Sequence, residues 1–424
     1  MNGKFQLKGI GSMRKYIKAG LGLSMISLLC TGCFSNYNLW QNGQSTGNTQ
    51  SGAWGSGSGT GTSIYSDEVE DKIDCINEII DENFYFEASD DEEREEYIYK
   101  GIMESLDDPY SVYYTAEEYA DMMESSSGSY QGIGVSIQQD VETKTLTVIR
   151  VFQGSGAEDA GMLPKDIITG VDGRELNGED VSEVVTWIKG EPGTTVDVTV
   201  YRPSTEEELT LTIERRTIEN SSISYSMKEN QIGYIEVTEF CEVTSEQFRI
   251  AIDDLQAQGM NGLIVDLRNN PGGYVNVATD MCNRILDGGT IVYTEDKDGN
   301  TLEIYEADSE DSLDIPIVVL VNGNSASASE IFAGCLKDYG RATLVGTTTF
   351  GKGIVQQVIP LSDGSAIKLT IAKYFTPNGN DIHKIGIEPD VVVELPEELR
   401  YEPVIPEEQD TQLQKAIEIL TTNE

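Results

Sequence analysis

Residues 315–336 read Ile-Pro-Ile-Val-Val-Leu-Val-Asn-Gly-Asn-Ser-Ala-Ser-Ala-Ser-Glu-Ile-Phe-Ala-Gly-Cys-Leu. The segment from Ile315 to Val321 is a short, unbroken apolar run, the pattern of a strand buried on both faces. Asn322-Gly323-Asn324 then turns the chain. Beyond the turn, Ile331, Phe332, Cys335 and Leu336 recur at three- and four-residue spacing, which predicts an amphipathic helix closed by Gly340. A buried strand feeding a helix is the unit from which α/β domains are built. A serine at that turn sits beside helix N–H groups that lack intrahelical partners, where the positive end of the dipole favours developing negative charge. Ser325, Ser327 and Ser329 all qualify, and each reads equally well as a plain helix cap.

A serine nucleophile needs a base, usually histidine. The chain has a single histidine, His383, in the loop before Ile387-Glu-Pro-Asp390, and nothing around it marks a catalytic role. A lysine is therefore considered. In Thr349-Phe-Gly351-Lys352-Gly353-Ile-Val-Gln356 the flanking glycines admit close backbone approach, and Lys352 and Gln356 share parity, so on one strand they face the same side. Lysine is a general base only when neutral, which burial favours; taken alone, Gly-Lys-Gly reads as an exposed turn. A phosphate-binding loop is excluded, because Gly353 stands where that pattern needs Ser or Thr. A third segment, Asp266-Leu-Arg-Asn-Asn-Pro-Gly272-Gly273, ends the apolar run from Leu263 in a glycine turn. Its amides either point into a neighbouring site or simply end a strand.

From Ile232 onward strands and helices alternate. The pattern gives strands at Ile232 to Phe240, Leu263 to Leu267, Ile291 to Thr294, Ile315 to Val321, Ala342 to Val345, Ile354 to Pro360 and Ile367 to Phe375. Thr244 with Gln247 suggests a capping box, and Asp298-Gly299 a hairpin. Residues 217–398 are thus expected to form an α/β core with a mixed sheet, followed by an acidic C-terminal segment, 399–424, lying outside it. Residues 126–216 read as a mostly-β domain with a helix near Val181 to Lys189. Residues 66–125 read as an acidic helical module, its first helix capped by Ser66 and its second running through Ile98, Ile102 and Leu106. The fold class is α/β (α+β) and multidomain.

Residues 34–65, rich in Gly, Ser, Asn, Gln and Thr, cannot bury apolar surface and read as a flexible tether. Before them, Arg14, Lys15 and Lys18 precede an apolar stretch, about Ala19 to Gly32, that is short for a membrane span and ends Leu-Cys-Thr-Gly-Cys. This ending resembles a bacterial lipoprotein signal, with Cys33 as the lipidated residue; Cys30 stands where that pattern usually has leucine, so an uncleaved anchor is the alternative. Either way the body is expected outside the cytoplasm. Its charge, 29 Lys plus Arg against 73 Asp plus Glu, argues against nucleic acid as a partner. Beyond Cys30 and Cys33 the cysteines show no CxxC and no accompanying histidine pattern, so neither a disulfide framework nor a metal site is expected. Cys75, Cys241, Cys282 and Cys335 read as small core residues.

Gly132-Ile133-Gly134-Val135 places two glycines before a strand, and Gly154-Ser-Gly-Ala-Glu-Asp-Ala-Gly-Met-Leu-Pro-Lys-Asp-Ile-Ile follows. Together they resemble a PDZ domain in the circularly permuted form of bacterial proteases. The resemblance implies that a peptide adds as a strand beside Val135, its C-terminal carboxylate on the amides of Gly132, Ile133, Gly134 and Val135.

With Asp108-Pro-Tyr-Ser and this domain ahead of them, the three turns in their order and spacing resemble the C-terminal processing peptidases, or tail-specific proteases, over roughly residues 66 to 395. The resemblance implies a protease core with an inserted PDZ domain. It makes Ser327 the nucleophile, Lys352 the general base and Gln356 the residue that orients the lysine. The backbone N–H of Ala328 and that of Gly273, or else Gly272, become the oxyanion hole. No cofactor or metal is implied. Expected partners are protein substrates with free C-terminal tails and the membrane through the N-terminal anchor; a homo-oligomer or an activating partner is compatible with the extra segments. A catalytically silent peptide-binding scaffold on the same fold is the alternative, which loss of the serine or the lysine would have favoured.

Overall fold

The computed structural model describes residues 66–86, 89–140, 143–308, 312–399 and 405–422. The targeting segment, Cys33 and the tether therefore lie outside the described residues. Residues 223–422 build an α/β core around a six-stranded sheet. In spatial order its strands are Ile223–Met227, Ile232–Val237, Gly262–Asp266, Ile317–Val321, Thr343–Gly346 and Val391–Val392, the first pair antiparallel and the others parallel. Every residue of Gly262–Asp266 and Ile317–Val321 is buried, as their unbroken apolar runs require.

Helices Thr244–Ala257, Val275–Asn283 and Ala328–Asp338 cover one face of this sheet, where Phe248 and Phe332 meet edge to face with Val265 and Val319 in the same cluster. The helix Thr411–Thr422 covers the other, packing Leu413 and Ala416 with Ile264, Val318 and Leu320. The C-terminal segment is thus a layer of the core, not an appendage. Its register is fixed by charge as well: Arg268, at the end of Gly262–Asp266, bridges Asp266 and Asp410 (2.5 and 2.8 Å) with all three side chains nearly buried.

A second, antiparallel sheet orders Val112–Tyr114, Ala366–Phe375, Gly289–Glu295 and Thr301–Ala307, with Ile354–Pro360 also paired to Ala366–Phe375. Asp298 and Gly299 lie in the hairpin, as expected. Val112–Tyr114 fastens the N-terminal module to this sheet. The module holds Asp67–Asn83, Asp91–Glu104 and an unanticipated third helix, Ala116–Ser127, opened by a Thr115/Glu118 capping box.

Between module and core, five strands, Val135–Gln139, Leu146–Val151, Ile167–Val171, Thr195–Arg202 and Glu207–Glu214, pair in that order, and helix Val181–Ile188 buries Val184 and Ile188 among them. The entering strand Ser129–Gly132 pairs antiparallel with the leaving strand Arg216–Glu219, so both ends of this insertion meet the rest of the chain at one place.

Several local expectations need correction. Ser66 precedes the first helix, but its side chain makes no cap bond. The second helix ends at Glu104, before Leu106. Thr244 and Gln247 form no capping box: the Thr244 hydroxyl donates to the Glu239 carbonyl, and Gln247 Oε1 accepts from the Ser222 N–H, since both side chains find partners in the segments they pack against. Cys75 is exposed, unlike Cys241, Cys282 and Cys335, because the module presents that helix face to no neighbour among the described residues.

Candidate active site

Gly262–Asp266 and Ile317–Val321 are parallel neighbours, so the turns that follow them emerge side by side at the carboxyl end of the sheet, the usual place for a site in such folds. The two turns are sewn together. Ser325 Oγ donates to the Leu267 carbonyl (2.7 Å), the Ala326 N–H to the Asn270 carbonyl (3.1 Å) and Ser329 Oγ to the same Asn270 carbonyl (3.0 Å). These bonds separate the three candidate serines: Ser325 and Ser329 use their hydroxyls to hold the turn. Ser327 lies between them as N-cap of Ala328–Asp338, fully buried, with φ 60° and ψ −117°. A non-glycine residue in that left-handed region is strained, and such strain gathers at functional sites.

Gly272 presses against it. A Cβ there would stand 2.7 Å from Ser327 Cβ and 2.9 Å from the Ala328 nitrogen, so only glycine fits. The Gly272 N–H donates to Asn270 Oδ1 (2.8 Å) and its carbonyl accepts from the Phe240 N–H (2.9 Å), which leaves Gly273 the better placed donor of the pair.

Lys352 reaches the same place from the second sheet. Its flanking glycines are required by packing: a Cβ at Gly351 would meet the Gly386 nitrogen at 2.8 Å, and one at Gly353 the His383 nitrogen at 2.7 Å. His383 thus packs its backbone behind the lysine loop. The Lys352 side chain is only 3% exposed, and its Nζ lies 4.5 Å from the centre of the Tyr110 ring. Gln356 is fully buried, with Nε2 donating to Thr370 Oγ1 (3.2 Å) and Oε1 buried without a hydrogen bond. Shared parity is not what aims it. The strand begins at Ile354, after the lysine, and carries a register shift between Val355 and Gln356.

Reasoning from sequence missed the group that joins these parts. Glu330, fully buried, accepts four bonds: Oε2 from the N–H groups of Ser327 (2.9 Å) and Lys352 (2.8 Å), Oε1 from the Gly351 N–H (2.7 Å) and Thr349 Oγ1 (2.6 Å). One carboxylate oxygen therefore clasps the backbone of both candidate catalytic residues. Burial pushes its carboxyl above the ordinary range, while the bonds from Thr349, Lys352, Ser327 and Gly351 oppose that rise. The available signal was Ser327-Ala-Ser-Glu330, the spacing of a capping box. Tyr374, whose hydroxyl donates to the Ser327 carbonyl (3.0 Å), was also missed, and sequence offers no signal for it.

In the inserted domain, Gly134 has φ 82° and admits no side chain, since a Cβ would stand 2.2 Å from Ser155 Cβ. The carbonyls of Ile133 and Gly134 accept from Ala157 and Phe152. These bonds fix the Gly132–Val135 loop at the head of strand Val135–Gln139.

With this geometry in view, comparison with known proteins is decisive. The family model for peptidase family S41 matches residues 231–393, and that for the PDZ domain matches 131–213. Carboxy-terminal processing protease CtpA of Bacillus subtilis is 39% identical over 331 residues, covering 77% of this chain and 70% of the relative. The chain belongs to the carboxy-terminal processing proteases. A carboxyl-terminal-processing protease of Synechocystis is 38% identical over 324 residues, covering 76% of this chain and 75% of its own. Among solved structures, the photosystem II D1 C-terminal processing protease matches at 33% identity over 70% of this chain and 82% of its own, with a TM-score of 0.43. The chain is accordingly a serine-type peptidase of this family carrying a PDZ domain.

Proposed function

We propose that this protease hydrolyses peptide bonds with Ser327 as nucleophile and Lys352 as general base, on substrates whose C-terminal tails the PDZ domain binds. The observation that carries this reading is the Glu330 clasp, in which one buried carboxylate oxygen holds the backbone N–H of both residues. Neutral Lys352 takes the Ser327 Oγ proton as the oxygen attacks the scissile carbonyl carbon. The N–H groups of Ala328 and Gly273 receive the oxyanion. The Lys352 ammonium then protonates the leaving amine, and an acyl-enzyme remains. Lys352 deprotonates a water that attacks this ester, and the released Ser327 Oγ recovers its proton. Burial supports the role by disfavouring the charged lysine, and Gln356, held by Thr370, supplies an acceptor to aim it.

The tail enters as a strand beside Val135–Gln139, with its carboxylate at the Gly132–Val135 loop. We further infer an extracytoplasmic protein held at the membrane through Cys33, on the strength of the basic and apolar segment before it and the tether after it. Purified Ser327→Ala and Lys352→Ala proteins, given an unfolded substrate, are expected to lose at least about a thousandfold in kcat while keeping the wild-type melting temperature. Retained activity in either rules out the dyad. Cell fractionation in the same series, with Cys33→Ala added, is expected to move the chain to the soluble fraction; continued membrane retention sinks the lipid anchor.

A further inference from the structure

The carboxylate loop of the PDZ domain has a neighbour with no assigned task. Tyr130, on the entering strand Ser129–Gly132, lays its ring along the loop, where a Cβ on Gly132 would stand 3.3 Å from the ring Cε2. The ring is braced edge-on by Phe152 (6.4 Å between centres), whose own N–H donates to the Gly134 carbonyl (3.0 Å). This fixes the ring against Gly132, with Phe152 tying it to Gly134. Its phenol oxygen is buried and forms no hydrogen bond of normal geometry, although the Val135 N–H faces it closely enough to lower its pKa. Burial, helped by the charge of Glu124, outweighs that and pushes the phenol up to about 12, so the oxygen keeps its proton at neutral pH.

A buried O–H without an acceptor is costly and uncommon, and a site that receives an anion resolves it. We propose that the Tyr130 hydroxyl is a donor to the carboxylate of the peptide C-terminus bound at Gly132–Val135. The inference rests on the tail-binding reading above and adds a side chain to it. Backbone amides offer N–H groups to any acceptor, a terminal carboxylate or a mid-chain carbonyl alike. An added O–H aimed at their end gives a charge-assisted bond that favours a free carboxylate over an amide. Tyr130 is thereby a determinant of selectivity for free tails.

The test uses full-length Ser327→Ala protein, so that the probe is not cut, and a labelled decapeptide ending in an apolar residue, as free acid and as C-terminal amide. The free acid is expected to bind more tightly than the amide, and Tyr130→Phe, which keeps the ring and its packing, to weaken the free acid about tenfold while leaving the amide unchanged. If Tyr130→Phe leaves the preference intact, the tyrosine assignment is overturned and carboxylate recognition stands. If the Tyr130-containing protein shows no preference for the free acid, absence of binding included, the tail-binding reading itself fails. Equal weakening of both peptides reports a packing defect and also overturns the proposal.

Discussion

The protease core and the PDZ domain bury different things. In the core, Asp266, Asn270, Ser325, Ser327, Ser329, Glu330, Thr349, Lys352 and Gln356 are all buried within or beside one cluster; in the PDZ match, residues 131–213, only Ser155 and Asp166 are buried polar side chains among the described residues. Both of those have structural partners. Ser155 caps the helix Gly156–Asp159, and Asp166 pairs with Arg202 at 2.7 Å. Burying polar groups costs free energy unless each finds a partner, so a dense polar cluster at the centre of a fold marks where chemistry is done. The PDZ domain keeps an apolar interior, and the tail site proposed for it lies at its rim, on a loop and a strand edge. The proposed function thus separates reaction from recognition, and three substitutions probe that separation.

The largest effect is expected at Glu330. Glu330→Gln puts an NH2 where an oxygen now accepts two hydrogen bonds, so at least one buried backbone N–H loses its acceptor and the turn bearing Lys352 shifts relative to Ser327. Loss of registry at a reacting pair costs about a hundredfold in rate, so kcat on an unfolded protein should fall by about that factor with KM within a few-fold. Binding of a C-terminal peptide to the PDZ domain should not change. A kcat within twofold of wild type would break the claim that one carboxylate registers both residues.

How much of this could be read from the chain differs between the same two regions. The strands of the core announce themselves as apolar runs, and the turns at 266–273 and 349–353 announce themselves by glycine, because close approach leaves no room for a Cβ. What joins the turns is not written locally. Glu330 binds residues up to 22 positions away, Arg268 binds Asp410 across 142, and Thr370 binds Ser111 across 259. Such partners are chosen by the tertiary fold, and no periodicity or spacing encodes them. Among three serines in one run, local pattern could not choose; the long-range bonds of Ser325 and Ser329 show those two hydroxyls holding the turn. In the PDZ domain, Glu207–Glu214 is hard to read as a strand because its mostly exposed, glutamate-rich start resembles a loop, and its register comes from Thr195–Arg202.

An intermediate effect is expected inside the PDZ domain. Val198 is fully buried in the middle of Thr195–Arg202, and Val198→Ala should cost about 2 kcal/mol of that domain's stability through lost burial and an unfilled cavity. Hydrogen exchange should show the loss across the PDZ strands. Cleavage of a short peptide lacking a recognisable tail should stay within twofold. If kcat on that peptide fell together with PDZ stability, the two regions would be one cooperative unit and the contrast between them would dissolve.

The smallest effect is expected at Asp108, in the turn after helix Asp91–Glu104, whose Oδ2 accepts from Ser111 Oγ (2.6 Å). Burial alone would raise its carboxyl; hydrogen bonds from Ser111, Thr370 and the Tyr110 N–H, with the positive charge of Lys352, outweigh it and hold the carboxyl below its ordinary 3.8. The attraction is mutual, so ionised Asp108 favours the ammonium form of Lys352, which cannot accept a proton. Asp108→Asn removes that bias, and the neutral amine is then populated at lower pH. The acid limb of the kcat/KM profile should move to lower pH, by less than about one unit. Stability carries the opposite signature. A depressed carboxyl contributes above its unfolded value and loses that contribution as pH falls through the folded one, so the stability gap between wild type and Asp108→Asn should close below about pH 4. A limb that stays put or moves to higher pH, with the gap closing as stated, would break the claim that the Asp108 charge holds Lys352 toward its ammonium form.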